Sequence, residues 1–244
     1  MTQVKWNVEH LAQVDSTNTW LVQRARAGAG EGEVVYADFQ SAGRGRLERE
    51  WVSPAGSSLL CSVLFETTAT SAAAQVFVLA AALSLVEALQ VLTGARPSIK
   101  WPNDVMFGES KVAGLLGEVH DHKIVVGLGL NLSDVDPEFV GATTVLAATG
   151  VKVTAQQVLE GYLGALARRR GLLDSLEGTK VVVAEFTSSL STLGRYVRAE
   201  LAGEVVRGRA IGVEESGALR LETAAGERVV TAGDVVHLRG EEQS

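Results

Sequence analysis

Gln40-Ser41-Ala42-Gly43-Arg44-Gly45-Arg46-Leu47-Glu48-Arg49-Glu50-Trp51 concentrates two residue types: from Gly43 to Arg49 it holds three arginines and two glycines. Glycine permits sharp bends and close approach of backbone to a ligand. Arginine offers a rigid fork of donors that matches carboxylate and phosphate oxygens. Strand-like apolar runs flank the stretch at 33–39 and 57–66. Such a loop suits closure over a small anionic ligand. The alternative is a solvated basic hairpin, and the rest of the chain decides between them.

The bulk composition narrows the class. With 244 residues the chain can bury a sizeable core, and 46% hydrophobic with 21% charged residues is ordinary for a soluble globular protein. A net charge of −7 argues against nucleic acid as the main partner, because phosphate binding needs net basic surface. The single cysteine, Cys61, excludes an intramolecular disulfide framework and is expected to be a buried, inert thiol. Residues 1–5 lack the basic-then-apolar pattern of a signal peptide. The apolar run 76–86 is too short to span a bilayer. The expectation is a cytoplasmic protein with no membrane partner.

In chain order, 4–14 reads as a strand. Asp15-Ser16-Thr17-Asn18 supplies N-caps for a helix that stops at Gly28. The run 57–66 is apolar throughout and predicts a central strand. An alanine- and leucine-rich helix is expected over 72–92, an antiparallel hairpin over 111–119 and 123–132, and a helix over 154–173. The stretch 180–190 is ambiguous; the spacing of Val182, Phe186 and Leu190 favours helix over strand. After Gly194 short strands alternate with glycines, which indicates a small all-β unit and a boundary near 190–195.

General-purpose motifs fail. Gly43-Arg44-Gly45-Arg46-Leu47-Glu48 ends in Glu48 where a dinucleotide fingerprint needs a small residue, and Gly127-Leu128-Gly129-Leu130-Asn131-Leu132 precedes no helix. There is no P-loop, no nucleophile elbow, and no His or Cys pair at metal-ligand spacing. His10, His120, His122 and His237 read as surface or strand residues. Four segments besides the loop carry chemistry. Asp15-Ser16-Thr17-Asn18 offers hydroxyls and helix N-terminal N–H groups to a neutral polar group, with plain helix capping as its alternative. Lys100-Trp101-Pro102-Asn103-Asp104 surrounds a proline with a cation, an aromatic and a carboxylate, or is a structural turn. Lys111-Val112-Ala113-Gly114 puts a lysine at the mouth of a strand. Gly127-Leu128-Gly129-Leu130-Asn131 offers two close-approach glycines and an amide, or is a glycine-weakened strand.

In this order and combination the segments resemble the biotin protein ligase family over essentially the whole chain. The resemblance implies an α+β fold: a class II synthetase-like mixed-sheet catalytic domain, 1–192, followed by a small SH3-like β-barrel, 193–244. It implies an ATP-dependent ligase that forms biotinyl-5′-AMP and pyrophosphate from biotin and ATP. A lysine of a biotin carboxyl carrier protein, a subunit or domain of acetyl-CoA or a related carboxylase, then receives the biotin. Mg²⁺ is expected with ATP. Catalytic roles carry over to Arg46, Lys111 and Asp104, the last acting on the metal or on the acceptor lysine. Biotin contacts carry over to Ser16, Thr17, Asn18, Gln40, Gly43, Arg44 and Gly114. Arg46, Lys111, Trp51 and Asn131 are expected at the ATP and adenylate.

Two departures stand out. The family's loop commonly has glycine where this chain has Glu48, which is expected to pair with Arg46 or Arg49 and raise the cost of loop closure. The first catalytic strand begins within a few residues of Met1, leaving no room for the DNA-binding helix-turn-helix of some relatives, so a monofunctional form with no DNA partner is expected. A homodimer through an exposed sheet edge is a further expected partner. The competing readings are a lipoate ligase or octanoyltransferase-like enzyme, and a non-catalytic relative that binds biotin or carrier; the loop and the C-terminal unit favour biotin.

Overall fold

The structure, a computed structural model, describes residues 4–47, 49–67, 71–135, 139–201, 203–231 and 233–238, with backbone alone for 71–74. Glu48 and its expected ion pair lie outside the described residues.

The elements are β1 (Asn7–Leu11), α1 (Thr17–Arg26), β2 (Glu33–Ala37), β3 (Ser58–Glu66), α2 (Ser71–Thr93), β4 (Ser98–Lys100), β5 (Asp104–Phe107), β6 (Ser110–His120), β7 (Lys123–Asn131), α3 (Val145–Thr149), α4 (Ala155–Leu172) and α5 (Leu176–Ser189). Then follow β8 (Tyr196–Leu201), β9 (Glu204–Val213), β10 (Leu219–Thr223), β11 (Gly226–Val230) and β12 (Asp234–His237). The first seven strands form one mixed sheet in the order β1-β2-β3-β7-β6-β5-β4, parallel at β1–β2 and antiparallel elsewhere. The last five form a separate antiparallel sheet, β11-β10-β9-β8-β12. The mixed α/β architecture with a smaller β unit is the fold that the sequence reading anticipates.

Both faces of the large sheet are covered. Leu59, Cys61, Val63 and Phe65 of β3 point toward α2, α4 and α5, while Leu64 joins Val35, Val125 and the Leu21, Val22 and Ala25 stripe of α1 on the other face. This two-sided burial explains the unbroken apolar run of β3. Gln75–Thr93 of α2 is, by length and composition, long enough to cross a membrane, with mean hydropathy 2.1. That exceeds the run of 76–86 recognised in the sequence. Its surroundings identify it as a core helix, since Leu79, Leu83, Leu85 and Leu89 are fully buried beneath the sheet, α4 and α5. Truncating one of these leucines to alanine costs about 2–5 kcal/mol.

Arg168-Arg169-Arg170 is more than a basic helix end. Arg169 is buried and binds Glu87 of α2 at 2.7 Å and Glu185 of α5 at 2.6 Å, which ties three helices together. The ambiguous 180–190 stretch is helical, as part of α5. Its strand-like Val181-Val182-Val183 is overridden by packing, because Val182 and Phe186 are fully buried on one helical face. The short helix α3 was not anticipated: five residues are too few for a periodic signal, although its Thr144 cap and left-handed Gly150 stop are present. Cys61 has the inert character expected of it, for burial pushes its thiol up to about 12.

Strand β1 is shorter than expected. Val14 leaves it and makes an isolated parallel bridge to Gln40. That bridge brings the start of α1 beside the start of the Gly/Arg loop. From there the site is assembled.

Candidate active site

The floor of the site follows from the two-residue period of the strands. On the α1 side of the sheet, β3 presents Ser62, β6 presents Gly114, Leu116 and Glu118, and β7 presents Gly127, Gly129 and Asn131. Register aligns them: Gly114 lies opposite Gly129, and Gly127 lies between Ser62 and Leu116. The glycines are spaces for other side chains. A Cβ on Gly127 would lie 2.1 Å from Asn18 Oδ1, and one on Gly114 would lie 3.3 Å from the Trp51 ring. The glycine-weakened-strand reading is therefore insufficient: these positions admit Asn18 and Trp51 onto the sheet.

One end of the cavity is neutral and polar. Gln40 Oε1 accepts from the Thr17 N–H at 2.8 Å and the Thr17 hydroxyl at 2.9 Å. Ser62 Oγ lies 2.8 Å from Thr17 Oγ1 and 2.6 Å from Asn18 Oδ1. Ser16 caps α1. The sequence reading offered the first N–H groups of α1 to a ligand. Two of them have internal acceptors, Thr17's in Gln40 Oε1 at 2.8 Å and Thr19's in Ser16 Oγ at 3.4 Å, while the Ser16 N–H of the cap donates to Asp15 at 2.6 Å.

The Gly/Arg stretch folds over the floor as a narrow loop. Trp51 N–H donates to Gly43 O at 2.9 Å, Gly45 N–H to Arg49 O at 2.7 Å, and Arg44 bridges Glu50. Gly43 has to be glycine, since a Cβ there would lie 2.2 Å from Trp51 O. Leu47 at the tip takes a left-handed φ of 53°, costly for a leucine and an observed strain in a loop of this kind. The arginines diverge. Arg44 pairs with Glu118, Arg46 donates to Asn103 Oδ1 at 3.1 Å and Gly233 O at 3.0 Å, and Arg49 pairs with Asp234 at the start of β12. The loop thus bridges the two sheets.

The other end is cationic. Arg46 meets neutral acceptors only among these partners, so its charge is not cancelled by direct contact. Burial pulls its pKa below the ordinary arginine value, against the opposing pull of Asp234 and Asp104. Lys111 Nζ lies 2.6 Å from Asp104 Oδ1 and 5.8 Å from the Trp51 ring centroid. The Lys111 backbone is clamped to the 141–143 segment, and Asn131 Nδ2 donates to Thr143 O at 3.2 Å.

These walls enclose a cavity of about 320 Å³, within the range of small-ligand sites. Ser16, Thr17, Asn18, Gln40, Arg44, Arg46, Trp51, Asp104, Lys111, Gly114 and Asn131 all line it. Gly43 does not line the wall; it sits behind Trp51 and Gln40. Of the turn motif, Trp101 is fully buried, its N–H donating to Thr192 Oγ1 and its indole to Gly217 O, so it anchors the second sheet. Sequence reasoning did not single out Asn103, Phe139 or Asp234, which line the cavity, nor Glu118, which does not line it but pairs with Arg44. Glu118 was accessible to it, since it shares the strand parity of Gly114. Phe139 and Asp234 are brought in by tertiary structure.

Residues 5–131 match the Biotin/lipoate A/B protein ligase family, and residues 192–238 match the Biotin protein ligase C terminal domain. The chain belongs to the biotin protein ligase family. It is 34% identical to the biotin–[acetyl-CoA-carboxylase] ligase of Mycobacterium tuberculosis, over 94% of this chain and 88% of that protein. It is 35% identical to the enzyme of the same name from Paracoccus denitrificans, over 92% and 98%. Among solved structures, the Aquifex aeolicus biotin protein ligase in complex with biotin and ATP superposes with a TM-score of 0.81 at 30% identity, covering 96% of this chain and 99% of that one.

Proposed function

We propose that the protein is an ATP-dependent biotin protein ligase: it joins biotin to AMP with release of pyrophosphate, then transfers biotin to a lysine of a biotin carboxyl carrier protein or domain of an acetyl-CoA or related carboxylase. The observation that carries this reading is one cavity with a neutral hydrogen-bonding end, an aromatic wall and a cationic end. Biotin's uncharged ureido ring suits Thr17, Asn18 and Gln40, with Ser16, Gly43, Arg44 and Gly114 shaping the surround. ATP's phosphates suit Arg46 and Lys111, and adenine suits Trp51 and Asn131.

In the first step a biotin carboxylate oxygen attacks the α-phosphorus and pyrophosphate leaves. Two anions must approach, so fixed cations that need no reorganisation lower the barrier. Arg46, bound only to neutral oxygens, is set for this. Lys111 is held by Asp104 at the same end, and the pair directs one cation at the phosphates. In the second step the carrier lysine attacks the acyl carbon and AMP departs. Asp104 lines the cavity beside Lys111 and can take up the amine's proton when Lys111 turns to phosphate. Among the described residues no group of three or more His, Cys, Asp or Glu gathers at a metal-binding distance. Asp104 would hold Mg²⁺ arriving with the nucleotide, and the ion would neutralise phosphate charge.

Residues 1–192 are proposed as the catalytic domain and 193–244 as a C-terminal domain that supports the loop and meets the carrier. The substrates and the buried reduced thiol suit the cytoplasm. The net negative charge suits neither DNA nor an anionic membrane as partner. Edge strand β1 exposes four of its five residues, and pairing along it is the route to a homodimer that this sheet offers.

The test is incubation with ATP and either biotin or lipoate, followed by a carrier domain. Pyrophosphate release that requires biotin, and mass gain on the carrier lysine, are expected. Turnover with lipoate alone would establish the lipoate-ligase reading, and no turnover with either would leave a binding protein.

A further inference from the structure

Thr192 belongs to none of the motifs that mark the site, yet it is fully buried beside one of them. β4 is the last strand of the large sheet, and the chain between α5 and β8 covers its outer edge. Leu190 bridges Ile99 there, and the Ser191 N–H donates to Ile99 O at 2.8 Å. Beyond Ser191 the chain leaves for the second sheet, where Gly194 N–H donates to Ala210 O. The next N–H along the edge, that of Trp101, takes the Thr192 hydroxyl in place of a backbone acceptor, at 3.0 Å. Trp101 is 1% exposed, so bulk solvent does not stand in for that oxygen.

The same hydroxyl oxygen lies 3.1 Å from His237 Nε2 on β12. A backbone N–H only donates, so Thr192 Oγ1 accepts from Trp101 and its own proton is left for another acceptor. Nε2 is that acceptor, for among the described residues the hydroxyl has no third partner. The imidazole then carries its proton on Nδ1. Burial, with Lys100 and Arg195, keeps the ring neutral against the pull of Glu109. The turn after β4 is thus attached to the second sheet through this relay and through the Trp101 indole, which donates to Gly217 O at 2.9 Å. Its other half is held by β6, where the Leu115 N–H donates to Asn103 O at 3.1 Å. Lys100 and Asp104 face each other across the turn, and both line the cavity.

We propose that Thr192 is a positioning residue for this turn: its hydroxyl, accepting from Trp101 and donating to His237, fixes where Asp104 stands relative to β12. The inference rests on the biotin-ligase reading, in which Asp104 works with Lys111 at the phosphates and on the incoming amine. A displacement of about 1 Å at such a group can cost about a hundredfold in rate. Thr17, Asn18 and Gln40, proposed for the ureido ring, are carried by α1 and the chain after β2 and do not touch the turn. Loss of the Thr192 hydroxyl therefore falls on the chemical step and spares biotin affinity.

Two measurements on the full-length protein test this. Heteronuclear NMR of the histidine rings needs no ligand, and loss of signals in His237→Gln assigns that ring. Protonation on Nδ1 at about pH 7 is expected in wild type and in Thr192→Ser. A ring protonated on Nε2 in wild type overturns the proposal, whatever the activity. The second measurement compares Thr192→Val, which loses the hydroxyl, with Thr192→Ser, which keeps it. Biotin-dependent pyrophosphate release at saturating ATP is expected to slow about 10- to 100-fold in Thr192→Val, with biotin affinity within about twofold of wild type. Thr192→Ser should stay within about threefold of the wild-type rate. A Thr192→Val rate equal to wild type, or a serine variant as slow as the valine one, overturns the proposal. So does a parallel loss of biotin affinity, which marks a general loosening of the fold. Should Thr192→Val fail to fold, the ring protonation and the serine variant still decide. Should wild type show no biotin-dependent release, the functional reading falls while the ring protonation still judges the relay.

Discussion

A Cβ on Gly129 would lie 2.4 Å from Cε2 of Trp51, so the indole rests directly on the backbone of β7, next to the paired glycine Gly114. Glycine at 129 is a statement about Trp51. Gly129→Ala is expected to push the ring off the sheet, at a stability cost of about 1–3 kcal/mol from overpacking. ATP affinity should fall by more than tenfold while biotin affinity stays within about threefold. Calorimetric titration of each ligand checks this, and equal losses for both would show that Trp51 serves the whole site.

The Lys111–Asp104 pair makes a second prediction. Lys111→Ala removes a cation from the end of the cavity proposed for the phosphates and leaves Asp104 there without its partner. Biotin-dependent pyrophosphate release should drop about 10²- to 10³-fold. Adding Asp104→Asn to Lys111→Ala should recover part of the ATP affinity, since the repulsion goes with the carboxylate. Pre-steady-state pyrophosphate release against ATP concentration separates the two effects.

Arg49 and Asp234 join the loop to the second sheet at an exposed position. Such pairs contribute about 0.2–1 kcal/mol and are screened by salt. Asp234→Asn is expected to raise the KM for ATP no more than about fivefold in low salt. The difference from wild type should vanish at high ionic strength. A salt-independent defect would mean that Asp234 acts on substrate rather than on Arg49.

His237 gives a prediction about pH. Burial, then Lys100 and Arg195, lower its pKa to about 4, and Glu109 opposes them. Its Nε2 lies 3.1 Å from Thr192 Oγ1, the atom that also receives the Trp101 N–H. A depressed histidine pKa means that the unfolded chain binds the proton first. Its contribution to stability is whole above about pH 6.5, the ordinary histidine value, and is lost as pH falls toward 4. Wild type should therefore lose urea stability between pH 6.5 and 4 more steeply than His237→Gln. Parallel curves would remove His237 from the account.

Much of this was legible in the residues. The capped helix after Asp15, the apolar run of β3, the β6–β7 hairpin and the glycine-punctuated strands at the end follow from period, caps and turns. Each is a local property of the chain. The ordered motifs were legible too, because loop chemistry is written in consecutive residues. Helix α5 shows the limit: its valines favour strand, and burial of Val182 and Phe186 against α2 decides for helix. Helix α3 was too short to announce itself.

The sequence by itself therefore determined which segments carry chemistry, and in what order. Tertiary structure alone decided what each segment is for. The glycines at 114, 127 and 129 become seats for Trp51 and Asn18 only when strand register sets them side by side. Trp101 turns out to hold the second sheet. The three loop arginines take three different partners, Glu118, Asn103 with Gly233, and Asp234. Those partners lie 57 to 187 positions away along the chain. No local pattern encodes such distances, because the free energy that selects them comes from packing the sheets and helices together.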